Sequence, residues 1–278
     1  MLNFGGVSFL IMATYLIIFN TDNIIIGIYQ STAAVTFYSI AGNLIGYLRV
    51  IAHSVSTPLT PLVSHMDSSA SFDEIKTLYY SLSKKLFYVY GAIGVAMLAW
   101  GELFIFLWMG EEFGKTVMVL KILVVPLCFC LPQLPATSIL LGIGKHKSLF
   151  YVLAFEALGN IVLSLIFVQI WGLYGVAWGT AIPQIIIYVI AFPIFFMRVI
   201  SGSLKTFYLQ SLKMIFYGVL FTLPMSWLLL KFNYQFNWLG FIFNTGIVLS
   251  CMIAGFYFIV LDEYEKNKFK NYLNKFKK

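Results

Sequence analysis

The chain has 278 residues, of which 60% are hydrophobic and only 10% charged, with a formal net charge of +7. Soluble domains carry roughly 25% charged residues, so a water-soluble globule is excluded. Apolar runs of about 20 residues recur from end to end, each long enough to cross about 30 Å of hydrocarbon.

Backbone polar groups in lipid must be satisfied within the protein, and the ten-residue alternation of an outer-membrane barrel is absent, so the runs read as helices. The expected fold class is an all-α polytopic membrane protein with about eight transmembrane helices. Their approximate positions are 5–28, 34–62, 86–109, 117–142, 149–170, 173–197, 214–231 and 238–261.

The first run has no small-residue cleavage site and simply begins the first span. Its outer part holds Asp22 between Asn20 and Asn23. In the second span, at 100° per residue, Ser39, Gly42, Gly46, Arg49, His53, Ser56 and Thr60 fall within an arc of roughly 100°. A charged residue at the centre of a span costs about 2.5–3.5 kcal/mol, so it faces a bundle interior or a wet cavity. This stripe therefore predicts a lumen-facing surface, with Arg49, His53, Ser39, Ser56 and Thr60 as candidate binding residues.

Farther along, Pro58, Pro61, Pro126, Pro132, Pro135, Pro183 and Pro193 each remove an intrahelical hydrogen bond and predict bent or broken spans. Gln133 lies near mid-depth in the fourth span, while Glu156 and Asn160, one turn apart, lie in the inner half of the fifth. Taken singly, Asp22, Glu102 and Glu156 read as interhelical hydrogen-bonding groups. Gly175 and Gly179 have the Gly-x-x-x-Gly spacing that lets helices approach closely. Cys128, Cys130 and Cys251 sit inside spans and read as packing residues.

Lys and Arg separate onto alternate connections. One set holds Lys76, Lys84, Lys85, Lys145, Lys147, Arg198, Lys205, Lys213 and the six lysines of the tail after Lys266, whereas the turns at 29–33 and 170–172 hold none. By the excess of positive charge in cytoplasmic loops, both termini are expected in the cytoplasm, in a multi-pass protein of the cell's inner, cytoplasmic membrane. The basic tail reads as a solvated segment facing membrane lipids rather than nucleic acid, for which no motif is present.

Catalytic patterns are missing. The three histidines, at 53, 65 and 146, are scattered, and no paired His-x-x-x-His or Cys-x-x-Cys spacing occurs, so neither an enzyme nor a metal site nor a cofactor is expected. GIGKHKS at 142–148 lacks the spacing of a phosphate loop and reads as a tight turn between spans. Bent helices around a polar interior suggest a transporter.

The runs TDNIIIGIYQSTAAVTFYSIAGNL (21–44), PATSILLGIGKHKS (135–148) and NIVLSLIFVQIWGLYGVAWGTAIPQ (160–184) resemble the polysaccharide-export branch of the multidrug/oligosaccharidyl-lipid/polysaccharide transporter superfamily. The nearest likeness is to its O-antigen type flippases of lipid-linked oligosaccharides. The resemblance implies two six-helix lobes around a central cavity, often with an extra helix pair. Here residues 1–198 are similar to the second lobe, 199–262 to the extra pair, and 263–278 form a basic tail. The first lobe is absent, so the chain reads as a truncated frame, or as a half whose missing N-terminal lobe comes from a second polypeptide or another copy.

The implied activity is movement of an isoprenoid-diphosphate-linked sugar repeat between leaflets. Arg49 would bind two phosphate oxygens as a charged fork, His53 would assist or titrate, and Asp22, Glu156 and Asn160 would couple transport to an ion or the membrane potential. Two other readings are a drug/cation antiporter of the same superfamily, which should prefer an acidic cavity, and a polytopic glycan polymerase or ligase, or a membrane scaffold, which should show larger extramembrane loops.

Overall fold

The computed structural model describes residues 2–67, 72–232 and 236–268, all of whose regular elements are helical. Ten α-helices follow in order: α1 (Leu2–Tyr29), α2 (Thr32–Ser56), α3 (Leu59–Asp67), α4 (Phe72–Met109), α5 (Gly114–Cys130), α6 (Leu134–Gly142), α7 (His146–Ile186), α8 (Phe192–Val199), α9 (Leu204–Phe232) and α10 (Trp238–Gly255). Three-residue 3₁₀ turns precede α5 and α6, and π-helical segments at Ile187–Ala191 and Phe256–Val260 follow α7 and α10.

Seven continuous helical stretches are apolar and long enough to span a bilayer, against the eight expected. The difference lies in His146–Val199, 54 residues long, which at 1.5 Å per residue would extend about 80 Å if straight. It does not run straight. Gly172 adopts φ 55°, ψ −129° inside α7, a conformation that side-chain-bearing residues avoid. Beyond it the chain returns along itself: a Cβ on Gly175 would strike the Phe167 carbonyl, one on Gly179 would strike Ser164, and one on Gly159 would touch Pro183. The glycine pair thus packs the two arms of a helical hairpin, and the stretch contributes two crossings.

The proline-bearing spans are broken as expected, but unevenly. α2 ends at Ser56 and α3 starts after the Thr57–Pro58 turn, while α5 gives way to a 3₁₀ turn at Leu131–Gln133 before α6. Pro126 and Pro183 lie within continuous helix. Pro193 opens α8 just after the π-helical segment. Two of these irregular points meet, because the Gln133 amide donates to Phe129 O at 2.9 Å and to Tyr188 O at 2.5 Å.

The third span begins earlier than its apolar run, since α4 continues as helix from Phe72 and is 38 residues long. Its polar first turns project beyond the hydrocarbon, where Lys84 pairs with Asp262 at 3.0 Å and Lys85 pairs with Glu265. Glu102 pairs with Lys121 between α4 and α5 at 2.7 Å, the structural role expected of it.

α9 lies directly on α4. Gly218 approaches so closely that a Cβ would sit 2.6 Å from Tyr88 O, and Gly91 faces the Ile215 backbone at 3.2 Å. α10 covers the remaining flank, with Tyr88 donating to Met252 O at 2.9 Å. Small residues at such crossings permit the close packing that drives helix association in lipid.

The loops sort by side. Gln30, after α1, lies against Gly172 at the hairpin tip, and Phe37 packs on Phe113 of the α4–α5 connection. At the other end Gly142 meets Thr60 and Val63 of α3, and the Tyr80 hydroxyl donates to Ser203 O. Of the basic tail, 263–268 is helical and the lysines from Lys270 onward lie outside the described residues.

Candidate functional site

A cavity of about 450 Å³ opens between α1, α2, α5 and the returning arm of α7. The α2 wall consists of Tyr38, Ser39, Gly42, Asn43, Gly46 and Arg49. Helical spacing places these residues on one face, and the glycines keep that face open. α1 contributes Asn20, Asp22 and Asn23, and α7 contributes Thr180 and Gln184.

Asp22 is 4% exposed yet fully engaged. The hydroxyls of Tyr38 and Thr180 donate to Oδ2 at 2.5 and 2.6 Å, and the Asn160 amide donates to Oδ1 at 3.2 Å. Asn160 also donates to Thr180 at 2.7 Å. Four segments, α1, α2 and both arms of the α7 hairpin, therefore converge on one carboxylate. The hairpin register explains the convergence, since folding at Gly172 sets Asn160 beside Thr180. Buried polar groups of this kind persist only when satisfied, and this carboxylate has three donors.

One turn deeper in the hairpin lies Glu156, 3% exposed. Tyr188 and Gln184 act on it as hydrogen-bond donors, and the Arg49 guanidinium acts on it electrostatically. The charge of Arg49 also reaches Tyr15 and Cys130. Arg49 thus stands between the open cavity and a second buried acidic group.

The expected α2 stripe divides at Pro58. Ser39, Gly42, Gly46 and Arg49 line the cavity, whereas His53, exposed on the helix, is not among its lining residues. Ser56 is buried at 1% exposure. Thr60, past the break, donates to Ser138 O at 3.3 Å and helps join α3 to α6. A helical projection assumes one straight axis, and the axis ends at Ser56. The coupling candidates Asp22 and Asn160 meet directly, and Glu156 sits in the adjoining layer.

Sequence reading missed Tyr38, Asn43, Thr180 and Gln184. For the last two a signal existed: Thr180 and Gln184 repeat on the returning arm the one-turn spacing of Glu156 and Asn160, and a hairpin at Gly172 brings the pairs together. Outside the membrane, burial pushes the Glu265 carboxyl up, but the Lys85 ammonium and the Asp262 N–H, at 3.2 Å, outweigh it and hold the group below its ordinary range.

Among known proteins, a solved structure of the lipid II flippase MurJ, in an inward closed conformation, superposes with a TM-score of 0.69 over 87% of this chain at 15% identity. At that identity the likeness is one of fold. The chain covers 51% of that protein, so it spans about half its length. No curated protein sequence matches the chain. The MatE family profile matches residues 8–166, more than half of the chain. On that match the chain, a multi-pass membrane protein, belongs to the MatE family.

Proposed function

We propose that this chain forms one lobe of a flippase that moves an isoprenoid-diphosphate-linked oligosaccharide from the cytoplasmic to the outer leaflet in surface-polysaccharide biosynthesis. The observation that carries the reading is Arg49 on the wall of an open, polar, small-residue cavity at membrane depth. A guanidinium is permanently charged and presents a planar fork that matches two phosphate oxygens. Asn20, Asn23, Ser39 and Asn43 supply uncharged polar edges suited to sugar hydroxyls.

In this reading residues 1–198 form the lobe, 199–262 an added helix pair, and 263–278 a tail on anionic lipid. Both termini face the cytoplasm, in keeping with the lysine-rich ends of α4 and the tail. A second lobe, from a further segment, another polypeptide or a second copy, completes the cavity, because alternating access rocks two halves about a shared site. Asp22, Asn160 and Glu156 serve energy coupling, to a proton or a sodium ion. His53, exposed beside the cavity on the same helix, assists at its inner mouth.

A cation antiporter of the same superfamily is favoured by one feature, Asp22 at the cavity wall. Three donors occupy that carboxylate, whereas the basic group faces open space, so an anionic cargo fits better. Vesicles containing the complete assembly separate the two. Transfer of lipid-diphosphate-linked sugar that disappears with Arg49→Ala supports the flippase, and efflux of a cationic dye without sugar transfer rejects it.

A further inference from the structure

Glu156 has no contact with the cavity, yet two of its neighbours do. Gln184 and Arg49 both line the cavity, and both act on the Glu156 carboxylate. One oxygen, Oε2, is buried without a hydrogen-bond partner among the described residues. The titratable groups facing Glu156 come from every element packed around it: Tyr15 of α1, Arg49 of α2, Cys130 of α5 and Tyr188 of the π-helical segment. Arg49 is the cation of this group. A carboxylate so buried is costly unless a positive charge compensates it.

A diphosphate approaching Arg49 from the cavity competes for that same charge. It offers two oxygens in the geometry of the guanidinium fork, and its negative charge repels the carboxylate on the other side. Arginine keeps its proton throughout, so the adjustment falls on the carboxylate.

We infer that Glu156 is the resting counter-charge of Arg49, and that a bound diphosphate displaces it, so that cargo binding is accompanied by uptake of one proton onto Glu156. The inference rests on the reading of the cavity as a diphosphate site. The step forms one O–H bond on Glu156 with a proton from water, breaks the electrostatic pairing with Arg49, and reverses when the cargo leaves. Gln184, in touch with both the carboxylate and the cavity, stands between the solvent and the group.

The test is calorimetry on the full chain in lipid nanodiscs, titrated with geranylgeranyl diphosphate in buffers of different ionisation enthalpy. The wild type should take up as much as about one proton per bound diphosphate beyond the ligand's own titration, with affinity strengthening by up to about tenfold per unit fall in pH. Glu156→Gln should bind at wild-type strength or more tightly, keep only the ligand's own proton exchange and lose the steeper pH dependence. Glu156→Asp, which keeps a carboxylate, should retain the uptake. An unchanged proton count in Glu156→Gln, or binding tenfold weaker in that variant, overturns the inference while leaving the diphosphate site intact. A wild type that binds no diphosphate overturns the site itself, and the inference falls with it.

Discussion

Gly172 holds φ 55° with ψ −129°, and its missing side chain faces Gln30. An alanine there is strained by about 1–3 kcal/mol, so Gly172→Ala should lower the thermal midpoint in detergent. An unchanged midpoint would show that the hairpin does not depend on this backbone state. Asp22 gives a graded expectation. Tyr38→Phe removes one of three donors and should cost about 0.5–1.5 kcal/mol. Asp22→Ala strands Tyr38, Thr180 and Asn160 without their acceptor, at about 1–3 kcal/mol for each group left unpaired. Asp22→Asn keeps an acceptor and should fall between the two, as read by chemical unfolding in micelles.

Packing of α9 on α4 depends on Gly218, whose Cβ position lies 2.6 Å from backbone, not from a side chain that could turn aside. Gly218→Leu must push the helices apart and should cost at least about 1–3 kcal/mol, with new protease cleavage between α9 and α10. The segment at 262–268 is held differently, by Lys84–Asp262 and Lys85–Glu265. Because the folded Glu265 titrates below its ordinary value, its stabilisation is complete above the unfolded pKa and is lost as pH falls through the folded one. Hydrogen exchange at 262–268 should therefore accelerate on acidification below the usual carboxylate range, and Glu265→Gln should remove that dependence. The helices themselves were legible because hydropathy is a local property: the apolar run at 238–261 matches α10 with its π-helical extension almost end to end. The stripe on α2 was legible only as far as the helix axis holds, to Ser56, because the turn at Thr57–Pro58 redirects everything after it. The Asp22 cluster could not be seen at all until the fold at Gly172 placed Asn160 beside Thr180, since its donors lie 16, 138 and 158 positions away.

For the molecule as a whole, one cation at the cavity wall sets the cargo's sign, and the acidic groups behind it answer to that charge. The account stands on Arg49 and its access to the cavity. Binding of an isoprenoid-diphosphate-linked oligosaccharide to the protein in nanodiscs tests it most directly, with membrane insertion and thermal midpoint checked for each variant. Arg49→Ala should weaken binding by about 10- to 100-fold, the loss of roughly 1.5–3 kcal/mol expected for a charge-assisted contact, and Arg49→Lys should recover only part of it because an ammonium lacks the fork. Equal affinity in wild type and Arg49→Ala would contradict the account.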